Sequence, residues 1–136
     1  FDLTNNKLTY SAANNPIWVV SPPSIKTELW QEPWQLSQIT PDKQPIGKYK
    51  EEVAPFNLKT VSIEKGEMIY LFSDGYADQF GGPKGKKFKY KPLQELLISI
   101  AHLPLDEQKQ VLDSTIESWR GGLDQVDDML VIGIRV

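Results

Sequence analysis

The chain contains no cysteine. Disulfides, thiolate nucleophiles and cysteine-held zinc are therefore excluded, and the composition suits a reducing compartment such as the cytoplasm. A single histidine, His102, excludes a histidine-rich metal site. Any metal bound here must be held by oxygen, which favours Mg²⁺, Mn²⁺ or Ca²⁺. There is no basic surplus: 15 Lys and Arg stand against 18 Asp and Glu, a net charge of −3 that does not point to nucleic acid. No apolar run approaches a membrane span, no secretory leader is visible, and there is no internal repeat. What is present is 136 residues of ordinary apolar content, enough for one domain with a core. The first residue is Phe1 rather than Met, which predicts a piece of a longer protein.

The most informative stretch is residues 67–75, EMIYLFSDG. Met68 to Phe72 is an unbroken apolar run, the pattern of a strand covered on both faces. It delivers Asp74 and then stops. A carboxylate at the end of a buried strand needs a partner, which a metal ion or a turn can supply. An Asp-Gly turn of a hairpin requires a returning strand at once, and residues 76–87, YADQFGGPKGKK, do not read as one.

The remaining chain reads as a scaffold. Residues 1–3 and 8–12 are expected as strands around an Asn-rich turn. Ile17–Val20 is expected as a buried strand, and Ile25–Trp30 as a half-exposed one. Residues 31–57, with four prolines, read as a surface connection holding short strand pieces. Leu58–Ile63 alternates and, joined by a Gly-containing turn, predicts a hairpin with Met68–Phe72. Leu93, Leu96, Leu97 and Ile100 predict a helix from Pro92 to about Leu103. Val111, Leu112, Ile116 and Trp119 predict a second helix from about Leu105 to Arg120, stopped by Gly121 and Gly122. The chain closes on Asp127 to Val136, read as a buried strand introduced by two carboxylates. Strands, then a helix pair, then a last strand indicate an α+β antiparallel sandwich with helices laid on a sheet.

Asp74 ends one strand and Asp127 and Asp128 begin another. If the strands are antiparallel neighbours, the carboxylates meet at one sheet edge, where a cation would relieve their repulsion. Paired acids before a strand also serve as turn or cap residues, and spacing alone does not separate the two.

The run LFSDG at 71–75 resembles the "TDG" motif of the metal-dependent Ser/Thr phosphatases, the PPM or 2C-like family. Residues 125–132, QVDDMLVI, resemble that family's closing acidic strand. Residues 8–16, LTYSAANNP, resemble a stretch of its bacterial SpoIIE/RsbU branch, as do Pro45 to Gly47 and the turn at 64–67. The resemblance implies two antiparallel sheets flanked by helix pairs, with a binuclear Mn²⁺ or Mg²⁺ site between them. It implies Asp74 and Asp127 as metal ligands, with Gly75 and Asp128 beside them. The implied partners are a phosphorylated regulator of the anti-anti-sigma type and an N-terminal sensor region of the same protein, with a homodimer possible. The expected location is cytoplasmic, whether or not the parent protein is anchored at a membrane.

The family's other Asp-bearing "G-D" motif is not found, Asn14 stands where the branch often has His, and Met129-Leu130 replaces "I-T". Residues 1–136 are therefore expected to be the C-terminal part of one phosphatase domain, incomplete on its N-terminal side, with open sheet edges and no activity alone. A non-catalytic interaction module that kept the sandwich is the rival reading. Lys84, Lys86 and Lys87 could greet a phosphorylated substrate or form a solvated loop. Asp78 could support the metal ligands or cap a turn. Trp18, Trp30 and Trp119 read as core, and Trp34 as a contact-surface candidate.

Overall fold

A computed structural model describes residues 1–2, 4–23, 33–47 and 54–136. In chain order its elements are β1 (Lys7–Tyr10), β2 (Ile17–Ser21), β3 (Gln35–Ile39), β4 (Lys59–Ser62), β5 (Met68–Phe72), α1 (Gly75–Asp78), β6 (Phe80–Gly81), β7 (Lys86–Lys87), α2 (Tyr90–Ile100), α3 (Leu105–Arg120) and β8 (Val131–Arg135). The central sheet has four antiparallel strands in the order β3-β2-β5-β8. A two-stranded sheet, β1-β4, and a short hairpin, β6-β7, complete the strands among the described residues.

Side chains alternate across a strand, so the apolar runs of β2 and β5 bury two different faces. On one face Trp18, Val20, Met68, Tyr70 and Phe72 pack with Leu93, Leu97, Ile100 and Ile116 of α2 and α3. On the other, Ile17, Val19 and Ile69 pack with Ile63, and Leu8, Tyr10 and Val61 of the small sheet lie against them. The layers are thus helices, central sheet and small sheet, an α+β antiparallel arrangement as expected. Two buried polar residues brace it. The Tyr70 hydroxyl donates to Gln108 Oε1 at 2.7 Å, and Gln108 Nε2 donates to the Leu103 carbonyl at 2.9 Å. Arg135 Nη2 donates to the carbonyls of Ala101 and Leu103, tying β8 to the corner between the helices.

Several expectations are corrected. β4 and β5 do not form a hairpin: β4 pairs with β1, and β5 pairs with β2 and β8. The turn between them carries the chain from one layer to the other. Gly66 sits there at φ +94°, and the Glu67 carboxylate accepts the Glu64 N–H at 2.8 Å. The closing strand is not buried throughout. Ile132 and Ile134 are 43% and 44% exposed, because the small sheet covers the β2 side of this face and does not extend over β8. Of the strand expected over residues 1–3, the described residues 1 and 2 make a single bridge, Asp2 to Lys7. α2 begins at Tyr90, placing Pro92 inside its first turn, where no helical N–H bond is lost. Trp34 packs against the core. The expected strand Ile25–Trp30 lies outside the described residues. No described helix is long and apolar enough to cross a membrane.

Candidate functional site

The site grows from the pairing of β5 with β8, which puts Phe72 opposite Val131. One residue further, the ladder is continued by a side chain. The Ser73 N–H donates to the Leu130 carbonyl at 3.0 Å, and the Leu130 N–H donates to Ser73 Oγ at 2.9 Å. Ser73 Oγ donates in turn to the Asp128 carbonyl at 2.7 Å. The end of β5 is thereby stitched to the segment that leads into β8.

Gly75 then lies directly on that segment. A Cβ built on it would stand 2.4 Å from the Asp128 carbonyl oxygen and 3.2 Å from that of Asp127. Only a residue without a side chain lets the two backbones approach so closely. Asp74 is the residue before this contact, and Asp127 and Asp128 are on its other side. The structure therefore sets Gly75 against the backbone of Asp127 and Asp128 at one end of the sheet, with Asp74 next to the contact.

Asp74 is not the first half of a hairpin turn. It has φ −74° and ψ −17°, and α1 follows it. Its carboxylate makes no hydrogen bond that caps α1, so capping does not account for it. Asp127 uses one oxygen, Oδ1, to accept the Asp128 N–H at 2.7 Å. All three acids are exposed. These are hard anionic oxygen donors, the type that suits Mg²⁺ or Mn²⁺. No group of three acids or histidines among the described residues is disposed to hold a metal. The donors fit a hard cation as a partial set, and a coordination sphere needs oxygens from elsewhere.

Asp78 closes α1, and its N–H donates to the Asp74 carbonyl at 2.9 Å. Its carboxylate pairs with Lys87 Nζ at 2.8 Å. Lys84 lies in the turn of the β6-β7 hairpin, with Lys86 and Lys87 in β7, all exposed. The lysine loop is thus a hydrogen-bonded hairpin pinned to α1 rather than a free loop. His102 is exposed beyond α2, apart from this cluster.

Sequence reasoning missed two residues here. Tyr90 packs its ring beside Trp18 and Phe72, with centroids 6.1 Å away in each case. Burial pushes its hydroxyl pKa up, and the charges of Asp74 and Asp78 push it further, so the phenol stays neutral beside the acids. Gln79 is wholly buried between α1 and the Asp127 segment. Its only cue is a polar residue four positions after Gly75, which composition does not distinguish from a loop residue.

This antiparallel sheet with helices packed on it matches a fragment of the PP2C phosphatase fold. The SiaA-PP2C domain of Pseudomonas aeruginosa superposes with a TM-score of 0.81 at 21% identity, over 97% of this chain and 47% of that one. The PP2C phosphatase domain with a fragment of the regulatory domain of SpoIIE, a cell fate determinant of Bacillus subtilis, gives a TM-score of 0.61 at 18% identity, over 100% and 36%. The phosphatase domain of the same protein gives 0.58 at 16% identity, over 99% and 54%. The chain spans about half or less of the length of these solved chains. No curated protein sequence matches it. The model of the stage II sporulation protein E (SpoIIE) family matches residues 1–136, and the chain belongs to that family as part of a PPM-type phosphatase domain.

Proposed function

We propose that this chain contributes one half of the metal site of a protein serine/threonine phosphatase, with Asp74 and Asp127 as ligands of Mn²⁺ or Mg²⁺. The observation that carries the reading is the contact of Gly75 with the Asp127–Asp128 backbone, which holds the family's two acidic motifs together. Phosphatases of this class are in general Mn²⁺- or Mg²⁺-dependent. Such an ion lowers the pKa of a bound water and neutralises charge on a phosphoryl group.

The chain's own residues serve that chemistry by placement. Gly75 and Ser73 fix the backbone that carries Asp127 and Asp128. Tyr90, neutral, can donate a hydrogen bond beside the acids without adding charge. Lys84, Lys86 and Lys87 favour the approach of an anionic phosphoprotein. The substrate we propose is a phosphoserine or phosphothreonine on a regulatory protein of the anti-anti-sigma type, and the remaining ligands come from upstream sequence. On this reading residues 1–136 alone are inactive and cytoplasmic, and a sensor region precedes them.

The test is phosphate release from a phosphoserine protein by the longest protein that carries this chain, with Mn²⁺ supplied. Release that depends on the ion and falls at least about 100-fold in Asp74→Asn and in Asp127→Asn is expected, the scale of a lost metal or charge-stabilising group. Silence of that protein, together with an unchanged Mn²⁺ affinity in Asp74→Asn, would favour a non-catalytic interaction module instead.

A further inference from the structure

Gln79 follows α1 directly and is fully buried, although its side chain is polar. A buried amide is costly unless each of its atoms finds a partner. Here each does, and the partners are not scattered. Nε2 donates to the Phe80 carbonyl at 3.0 Å and to the Asp124 carbonyl at 3.0 Å, while Oε1 accepts the Val126 N–H at 3.3 Å. Two carbonyls face the nitrogen and one N–H faces the oxygen, so the partners themselves set the amide's orientation. Its own backbone carbonyl accepts Trp119 Nε1 from the end of α3 at 3.1 Å and the Phe88 N–H at 2.9 Å. One residue thus joins α1, the lysine hairpin, the end of α3 and the segment before β8.

That segment is exposed at every residue from Gly121 to Asp128, so it has little apolar packing to hold it. Its anchors are polar. Ser73 and Gly75 fix it at Asp128 and beyond. Gln79 fixes it at Asp124 and Val126, immediately before Asp127. A leucine or methionine would fill the same volume with no demand for partners, so filling space does not explain a glutamine here.

We infer that Gln79 is a positioning residue: its side-chain amide clamps Asp124 and Val126 and so sets where Asp127 and Asp128 stand against Asp74. The consequence for metal binding rests on the reading of those acids as ligands, whereas the clamp itself does not. Residues that orient metal ligands commonly alter affinity 10- to 100-fold when lost. Trp119 and Phe88, which bond the Gln79 backbone, would transmit any shift of α3 or of the lysine hairpin to the same point.

The experiment has two arms. In the 136-residue chain, nuclear Overhauser contacts from the Gln79 side-chain amide protons to Asp124 and Val126 are expected, and their absence overturns the clamp without any variant being made. Gln79→Met keeps the length of the side chain and removes both its donor and its acceptor. Amide exchange at Val126, Asp127 and Asp128 should accelerate at least tenfold, while Leu97 and Ile100 of α2 stay within threefold of the parent. Equal acceleration everywhere marks a general loss of stability and overturns positioning, and so does no change at Val126. In the longest protein carrying the chain, calorimetry with Mn²⁺ should show a 10- to 100-fold weaker site in Gln79→Met, and an unchanged affinity overturns the link to the ligands. Local acceleration of exchange in a chain whose parent protein binds no Mn²⁺ supports the clamp and removes the ligand reading alone.

Discussion

Gly75→Ala is the smallest change that probes the contact on which the site depends. The glycine φ is not in the left-handed region, so alanine suffers no backbone penalty, and the effect is one of space. The new Cβ would lie 2.4 Å from the Asp128 carbonyl oxygen, 2.8 Å from its carbon and 3.2 Å from the Asp127 oxygen. Ordinary carbon–oxygen contact begins near ~3.3 Å, so the loop must retreat by about 1 Å. The obstacle is backbone, which cannot swing aside as a side chain does. Overpacking of this kind costs about 1–3 kcal/mol, and rigid neighbours place it in the upper half of that range. For a chain of this length, a loss of 2–3 kcal/mol lowers the melting temperature by about 7–10 °C. Thermal and urea unfolding of the purified chain measure it, with Gly122→Ala as the control, since a Cβ there meets nothing within 4 Å. A Gly75→Ala protein that melts within 1 °C of the parent, with its loop amides unshifted, would refute the close approach and the geometry built on it.

Ser73→Ala removes the hydroxyl that both accepts from Leu130 and donates to Asp128. In this partly exposed position it should cost about 1–2 kcal/mol in urea unfolding, and a loss under ~0.3 kcal/mol would show that water replaces the hydroxyl. Tyr70 is buried, and burial raises its pKa to about 12 from an ordinary value of 10.0. The neutral phenol is the form the fold accommodates, so its contribution is complete below pH 10 and is lost as pH rises towards 12. A base titration followed by tyrosinate absorbance and circular dichroism should show unfolding coupled to ionisation in that window, and Tyr70 ionising at its free value would contradict the burial. Lys87→Ala breaks an exposed pair with Asp78 and should change stability by no more than about 1 kcal/mol. If the hairpin meets an anionic partner, the same variant slows association in low salt, and an unchanged rate removes that role.

Much of this was legible because the informative signals were local. The apolar runs at Ile17–Val20 and Met68–Phe72, the helix stripes at Leu93–Ile100 and Val111–Trp119, and the DG and DD motifs each carry their meaning in a few adjacent residues. What was not legible depends on partners distant in sequence. Leu58–Ile63 and Met68–Phe72 have the pattern of a hairpin, yet Leu8 and Tyr10 of β1 compete for the first of them and place it in another layer. The alternation of β8 is apolar on both faces, and only the extent of the small sheet decides that Ile132 and Ile134 meet solvent. Gln79 and Gln108 look like surface residues in any window, because their burial is decided largely by a carbonyl, a hydroxyl and an N–H 5 to 47 positions away.

The stitching of Ser73 to Leu130 also bears on when the site can come into being. Its two halves are separated by 57 residues of chain, and the pair of helices lies between them. During synthesis the N-terminal half emerges first, so α1 and the end of β5 must wait for α2 and α3 before the second half is available. Until residues 124–130 have emerged and docked, Asp74 has no acidic partner and Gly75 packs against nothing. A nascent chain can therefore hold both helices and most of the central sheet before Asp74 and Asp127 are brought near each other, and the backbone contact at Gly75 closes only when residues 124–130 have docked.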